Sequence, residues 1–252
     1  MSGLLYICNY GSESDSDDCE VDNVPEVKKT KLPTPDLSHI PVPVTDQHFD
    51  VPELHNGRIR SFPHVRGNWA TFVYIKYPEE ESLLKLANKL KNLLSNNHIL
   101  SHLCDDFHLS LSKTVVLNYH TIIPFTQSLK KALIVCERFY LGLDNIEVFC
   151  NEQKTRTFIS IQVNYFSKRS LLALVHKVDE VLGEFKLEKF YHDPSFHISL
   201  LWIEGDQRTL LESYIENLNN IVSKEVGKTI ESVFIDTVNC KSGNKFFQYQ
   251  LE

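Results

Sequence analysis

Polar and apolar positions along the chain change period several times, and each change marks an element. Residues 68–77, NWATFVYIKY, are aromatic and β-branched and predict a strand. Residues 78–97 follow with Leu83, Leu86, Leu90 and Leu93 on one stripe. Acidic residues open that segment and lysines come later, which predicts an amphipathic helix whose dipole is complemented. Residues 106–117, DFHLSLSKTVVL, predict a strand, and Pro124 opens a predicted helix over 124–138. Residues 143–151 and 155–163 predict a β pair, and 168–184 a helix with Leu171, Val175, Val178 and Leu182 on one face. A strand at 196–202, a helix over 207–222 and strands over 229–240 and 245–251 complete the series. The tripeptide SGN at 242–244 has the turn chemistry to join the last two. The order β-α-β-α-β-β-α-β-α-β-β predicts an α+β fold with antiparallel or mixed sheets.

The first fifty residues show no such period. Residues 11–22 are rich in Ser, Asp and Glu, and 25–46 hold five prolines. Such a segment buries too little apolar surface to offset its ordering entropy. The expected organisation is therefore a disordered acidic, proline-rich tail over 1–51 and a folded domain over 52–252. Charge supports the division. Residues 1–52 carry ten acidic side chains against three basic ones, which is the entire net charge of -7; the remaining 23 acidic residues are matched by 23 basic ones. The acidity belongs to the tail and leaves a nucleic-acid site in the domain open. KKTK at 28–31 is a short candidate for nuclear import. The six cysteines show no C-x-x-C spacing, no apolar run is long enough to span a membrane, and the first ten residues lack the features of a signal peptide.

Two short stretches repeat. FHLSLSK occupies 107–113 and FHISLLW occupies 196–202. Side chains alternate across a strand, so Phe196, Ile198 and Leu200 point one way and His197 and Ser199 the other. Likewise His108, Ser110 and Ser112 oppose Phe107, Leu109 and Leu111. A shuffled chain of this composition would contain the pattern apolar-His-apolar-Ser-apolar about 0.07 times, so two copies are not an accident. A lone histidine of this kind is more often a hydrogen-bonded core residue; the duplicate reverses that balance. Two imidazoles across a groove can serve as general base and general acid near neutral pH, and serines beside them can hold an anion. That set suits attack of a 2′-OH on the adjacent phosphodiester of RNA. His-x-Ser is a poor metal motif, and no G-x-S-x-G elbow accompanies the serines.

Paired H-x-[ST]-x motifs on two halves resemble the two-histidine phosphoesterases. GRIRSFPHVRGNWATFVYI (57–75), FHLSLSKTVVL (107–117), NEQKTRTFI (151–159), FYHDPSFHISLLW (190–202) and CKSGNKFF (240–247) narrow the resemblance to the branch that trims the uridine-rich 3′ end of spliceosomal U6 small nuclear RNA. The resemblance implies two pseudo-symmetric lobes, each a sheet with helices on its outer face, and an active-site groove between them. It implies a metal-independent 3′-to-5′ exonuclease without cofactor, monomeric and nuclear. Its partner is a single-stranded, uridine-rich 3′ end, and it leaves a 2′,3′-cyclic phosphate or a 3′-phosphate. By the same resemblance His108 and His197 are catalytic, Ser110 and Ser199 bind phosphate, and Tyr191 stacks on the terminal base; Ser112, on the same predicted face, is a further phosphate-binding candidate. By analogy His197 takes the base role and His108 the acid role; the residues alone leave that assignment open. A cyclic phosphodiesterase on the same scaffold and a non-catalytic RNA-binding adaptor are the alternatives. Lys154 and Arg156 are candidates for the RNA backbone, as are Lys241 and Lys245 less strongly. Arg58, Arg60, His64 and Arg66 lie in a basic loop, Trp69 is a possible stacking residue, Asn68 and Thr71 are expected to be structural, and Trp202 is expected in the core.

Overall fold

Eleven strands and five helices make up the described residues of the computed structural model, which are 65–78, 80–228 and 230–252. All belong to the unit His48–Glu252. The expectations for the tail and for Arg58, Arg60 and His64 lie outside the described residues. In chain order the elements are β1 (Asn68–Lys76), α1 (Glu80–Asn96), β2 (His102–Leu103), β3 (His108–Ser110), β4 (Val115–Asn118), α2 (Tyr119–Leu133), β5 (Phe139–Leu141) and β6 (Leu143–Cys150). Then follow β7 (Arg156–Val163), α3 (Tyr165–Glu184), β8 (His197–Glu204), α4 (Arg208–Glu212), α5 (Ile215–Glu225), β9 (Val233–Ile235), β10 (Thr237–Ser242) and β11 (Lys245–Gln250).

Nine strands form one sheet in the order β11-β10-β1-β3-β8-β7-β6, with β4 also on β1 and β2 also on β8. Every pairing is antiparallel. The two expected halves are the groups on either side of the β3–β8 junction. That junction holds a single Cα pair, Leu109 with Ile198. The two repeated stretches therefore lie side by side.

One face of the sheet is apolar. Val73, Ile75, Leu109, Ile159, Ile161 and Ile198 share a core with Leu83, Leu86, Leu90 and Leu94 of α1. Ile122, Phe125 and Leu129 of α2 and Leu171, Leu174 and Val178 of α3 join the same core. Each such side chain contributes about 1.5–3 kcal/mol by leaving water, so the helices hold this face and leave the opposite one for chemistry. Asn164 caps α3 by accepting a hydrogen bond from the Ser167 amide at 3.1 Å.

Three boundaries differ from the sequence reading. The stretch 106–117 is not one strand. Thr71 pairs with Val115 and Tyr74 with Ser110, so the second chain carries two extra residues between those pairs. That bulge divides β3 from β4. Helix α2 starts at Tyr119, five residues before Pro124, which sits inside it. A proline there removes one backbone hydrogen bond, and burial of Ile122, Phe125, Leu129 and Leu133 outweighs the loss. The predicted helix over 207–222 is two, α4 and α5. The SGN turn is present: Ser242 pairs with Lys245, and Gly243 has φ +56°. A Cβ at Gly243 would lie 2.5 Å from Cε3 of Trp69, so both backbone conformation and space favour glycine.

Candidate active site

The registers place the repeated polar residues together. One step either side of the Leu109–Ile198 pair sets His108 opposite Ser199 and Ser110 opposite His197. Leu109 and Ile198 are buried on the core side, so all four polar side chains share the other face. The two histidines are diagonal neighbours, a spacing of roughly 7–8 Å and somewhat less between Cβ atoms. That spacing leaves room for a phosphate between the rings.

Both imidazoles are oriented alike. Nδ1 of His108 lies 3.2 Å from the carbonyl oxygen of Asp106, and Nδ1 of His197 lies 2.7 Å from that of Ser195. A carbonyl only accepts, so Nδ1 carries the proton in each ring and Nε2 is left to exchange one. Each ring is also wedged by aromatics. Phe149 stacks on His197 with centroids 4.0 Å apart, and Tyr74 meets His108 edge-on at 5.5 Å. Phe149 lies in β6, two strands from His197, and its pairing with Phe158 sets it four residues along β7 from Gln162, the partner of His197. Their contact shows that the sheet is concave on this face.

Burial pushes the pKa of His108 below the ordinary 6.5, and the Lys241 ammonium lowers it further; the Asp106 carbonyl and carboxylate oppose the shift. Burial likewise pushes His197 down, the Ser195 carbonyl opposes, and the charge of His108 adds to the lowering. Ser199 Oγ lies 3.1 Å from Ser160 Oγ on the neighbouring strand. Gln162, in register with His197, donates to Glu147.

Ser112 corrects the sequence reading. It is buried, its Oγ accepts the Val73 amide at 2.9 Å, and it donates to the Lys113 carbonyl at 2.8 Å. The bulge between β3 and β4 breaks the alternation that would have set it beside Ser110. Its hydroxyl stands in for a missing backbone acceptor. Its hydroxyl is thereby engaged inside the protein rather than turned to the face of Ser110.

Tyr191 is 48% exposed in the loop before β8. Lys113 Nζ sits 4.6 Å from its ring centroid, and Phe190 packs at 5.0 Å. Burial raises its hydroxyl pKa, as do the charge of Glu152 and its hydrogen bond to that carboxylate. Lys113 is paired with Glu188. The ring is thus held from the ends of both halves, by Lys113 after β3 and Glu152 after β6.

Trp202 is buried, as expected, but on the other face of the sheet from Phe196. Between Ile159 and Ser160 the β7–β8 register shifts by one, with Leu200 as the extra residue. Beyond it the faces exchange. Phe158 pairs with Trp202, and Phe158 lies two residues from Ser160, on the histidine face. Trp202 therefore joins that face, where it is 9% exposed. Arg156 lies over its ring at 5.4 Å and over Phe158 at 5.8 Å. Lys154 is instead turned to Asp206 at 3.8 Å. Lys241 pairs with Phe72 and so sits on the histidine face, while Lys245 is near Trp69 and Tyr119. Trp69, a stacking candidate in the sequence, packs against the core, and Thr71 is buried against Ser242, as expected of a structural residue. Phe149, Ser160 and Gln162 escaped the sequence reading. Only strand register brings them to the site, and no local motif marks them. Among the described residues no group of three or more His, Cys, Asp or Glu is placed to hold a metal ion.

Comparison with known proteins places the chain in a family. The family model HVSL, described as an uncharacterised conserved protein, matches residues 31–250. The U6 snRNA phosphodiesterase 1 of Mus musculus is 41% identical over 229 residues, covering 90% of this chain and 85% of its own. That of Homo sapiens is 40% identical over 227 residues, covering 89% and 85%. A structure of Kluyveromyces marxianus Usb1 superposes with a TM-score of 0.55 at 13% identity, over 75% of this chain and 100% of that one. The same protein with uridine monophosphate superposes with a TM-score of 0.52 at 13% identity, over 73% and 98%. The chain belongs to the HVSL family, together with the U6 snRNA phosphodiesterase 1 proteins it resembles along most of its length.

Proposed function

We propose that the protein is a 3′-to-5′ RNA exonuclease that trims terminal uridines from U6 small nuclear RNA, acting as a nuclear monomer in the maturation of the splicing machinery. The observation that carries this reading is the cross-strand quartet of His108, Ser199, Ser110 and His197 on the concave face of the sheet. One imidazole takes the proton of the 2′-OH next to the terminal linkage. The freed oxygen bonds to phosphorus and the bond to the 5′-oxygen breaks. The second imidazole gives that oxygen its proton. The products are an RNA with a 2′,3′-cyclic phosphate and a nucleoside with a free 5′-OH; water adding to the cyclic ester would open it to a 3′-phosphate. Ser110 and Ser199 hold the phosphate oxygens, and Tyr191 takes the base of the departing nucleoside. Assignment of His197 as base and His108 as acid is part of the proposal.

The experiment is a uridine-tailed RNA incubated with the protein and EDTA. Activity that survives chelation, and that His108→Ala and His197→Ala each remove, is the expected result. Loss with chelator alone overturns the mechanism. Replacing the penultimate 2′-OH by hydrogen is expected to stop cleavage, because that oxygen is the nucleophile. Turnover of 2′,3′-cyclic nucleotides with no trimming of oligouridine would reassign the site to a cyclic phosphodiesterase.

A further inference from the structure

The concave face holds a second cluster that the proposed chemistry does not use. β2 is only two residues long, and it pairs His102 directly with Trp202. The two rings stack with centroids 4.5 Å apart and an angle of 24°. Arg156 lies over the indole as well. The side chains form a row across three strands: imidazole, indole, guanidinium. Trp202 is nearly enclosed, while His102 and Arg156 are half-buried at either end.

Trp202 is on the histidine face only because of the one-residue shift at Leu200. Trp202 lies three residues beyond Ser199, on the side away from His197, so the row is about 10 Å from the quartet at the usual rise of a strand. A strand core would be filled by aliphatic side chains here. Instead the site presents a flat ring and a planar cation, the pair of groups that receive a nucleotide's base and its phosphate.

We propose that the His102–Trp202–Arg156 row is a subsite for the RNA chain upstream of the reacting dinucleotide. The base of an upstream nucleotide stacks on the face of His102 that Trp202 does not cover, and the adjoining phosphate meets Arg156. Trp202 is a positioning residue that holds both. This deepens the exonuclease reading and rests on it. With the departing base on Tyr191, the retained chain must leave the quartet along the same face.

The test compares the dinucleotide UpU with pentauridine. UpU fills the quartet but lacks the upstream nucleotides. His102→Ala is expected to raise KM for pentauridine roughly tenfold, the change that one lost base stack represents; Arg156→Met is expected to raise it through the lost phosphate contact, and both leave kcat and the turnover of UpU unchanged. His102→Phe restores the platform and with it the KM. Arg156→Met is also expected to lower the slope of log(kcat/KM) against log salt by about 0.7, the loss of one phosphate contact on a single strand. Equal losses on both substrates, or none on either, overturn the subsite and leave the exonuclease reading standing. A wild type that cleaves neither substrate overturns both.

Discussion

His108 stands opposite Ser199 across the β3–β8 junction, and the same register sets Ser110 opposite His197. Each histidine thus has the other strand's serine as its direct neighbour. This crossed arrangement makes the site depend on both strands at once. Ser110→Ala and Ser199→Ala are each expected to lower kcat by about 10²–10³-fold, as loss of one anion donor does, and either histidine to alanine by about 10²–10⁴-fold. Single-turnover assays on a fluorescent oligouridine would measure this. A serine pair that can be removed together without effect would show that phosphate is held elsewhere.

The pH dependence should be displaced toward acid. Both imidazoles have folded-state pKa values lowered below 6.5, mainly by burial. The kcat/KM profile reports the free enzyme, so its bell is expected to centre below pH 6.5 rather than between two ordinary histidines. Stability follows with a defined sign. The unfolded chain binds protons more readily, so the stability tied to these groups is complete above the unfolded value and falls as pH drops below it. Denaturant melts at pH 7.5 and 5.5 would show the loss, and a double variant with glutamine at both positions would show less of it.

Tyr191 is expected to act through its ring and not its hydroxyl. Tyr191→Phe keeps the stacking face against Lys113 and is expected to change KM by less than about threefold, whereas Tyr191→Ala is expected to raise it by about 5–100-fold. Steady-state kinetics on oligouridine decide this. A Phe variant as damaged as the Ala variant would place the function in the bond to Glu152.

Leu109 holds the junction from the core side and is 1% exposed. Leu109→Ala is expected to cost about 2–5 kcal/mol, a fall in Tm of roughly 5–15 °C for a domain of this size. Activity at low temperature should also drop, because the register that crosses His108 with Ser199 loses its anchor. Calorimetry and an assay at 10 °C separate the two effects.

Much of this protein is written locally. The duplicated FHLSL and FHISL stretches (107–111 and 196–200) state, by alternation alone, that His108, Ser110, His197 and Ser199 share a face opposite Leu109 and Ile198. The leucine stripe of α1 and the SGN turn are equally direct, because period and turn chemistry are properties of neighbours in sequence. What alternation cannot carry is any step that the sheet takes as a whole. The two-residue bulge between β3 and β4 turned Ser112 into a backbone acceptor for Val73. The one-residue shift at Leu200 moved the buried Trp202 from the Phe196 face to the concave face beside His102 and Arg156. Pro124 read as a helix start because local rules favour it there, yet the buried face of Ile122 and Phe125 carried α2 through it. Bulges are settled by how strands from distant parts of the chain match their hydrogen bonds and their packing. The sequence by itself therefore determined which side chains are reactive. Only the tertiary structure decided which of them meet.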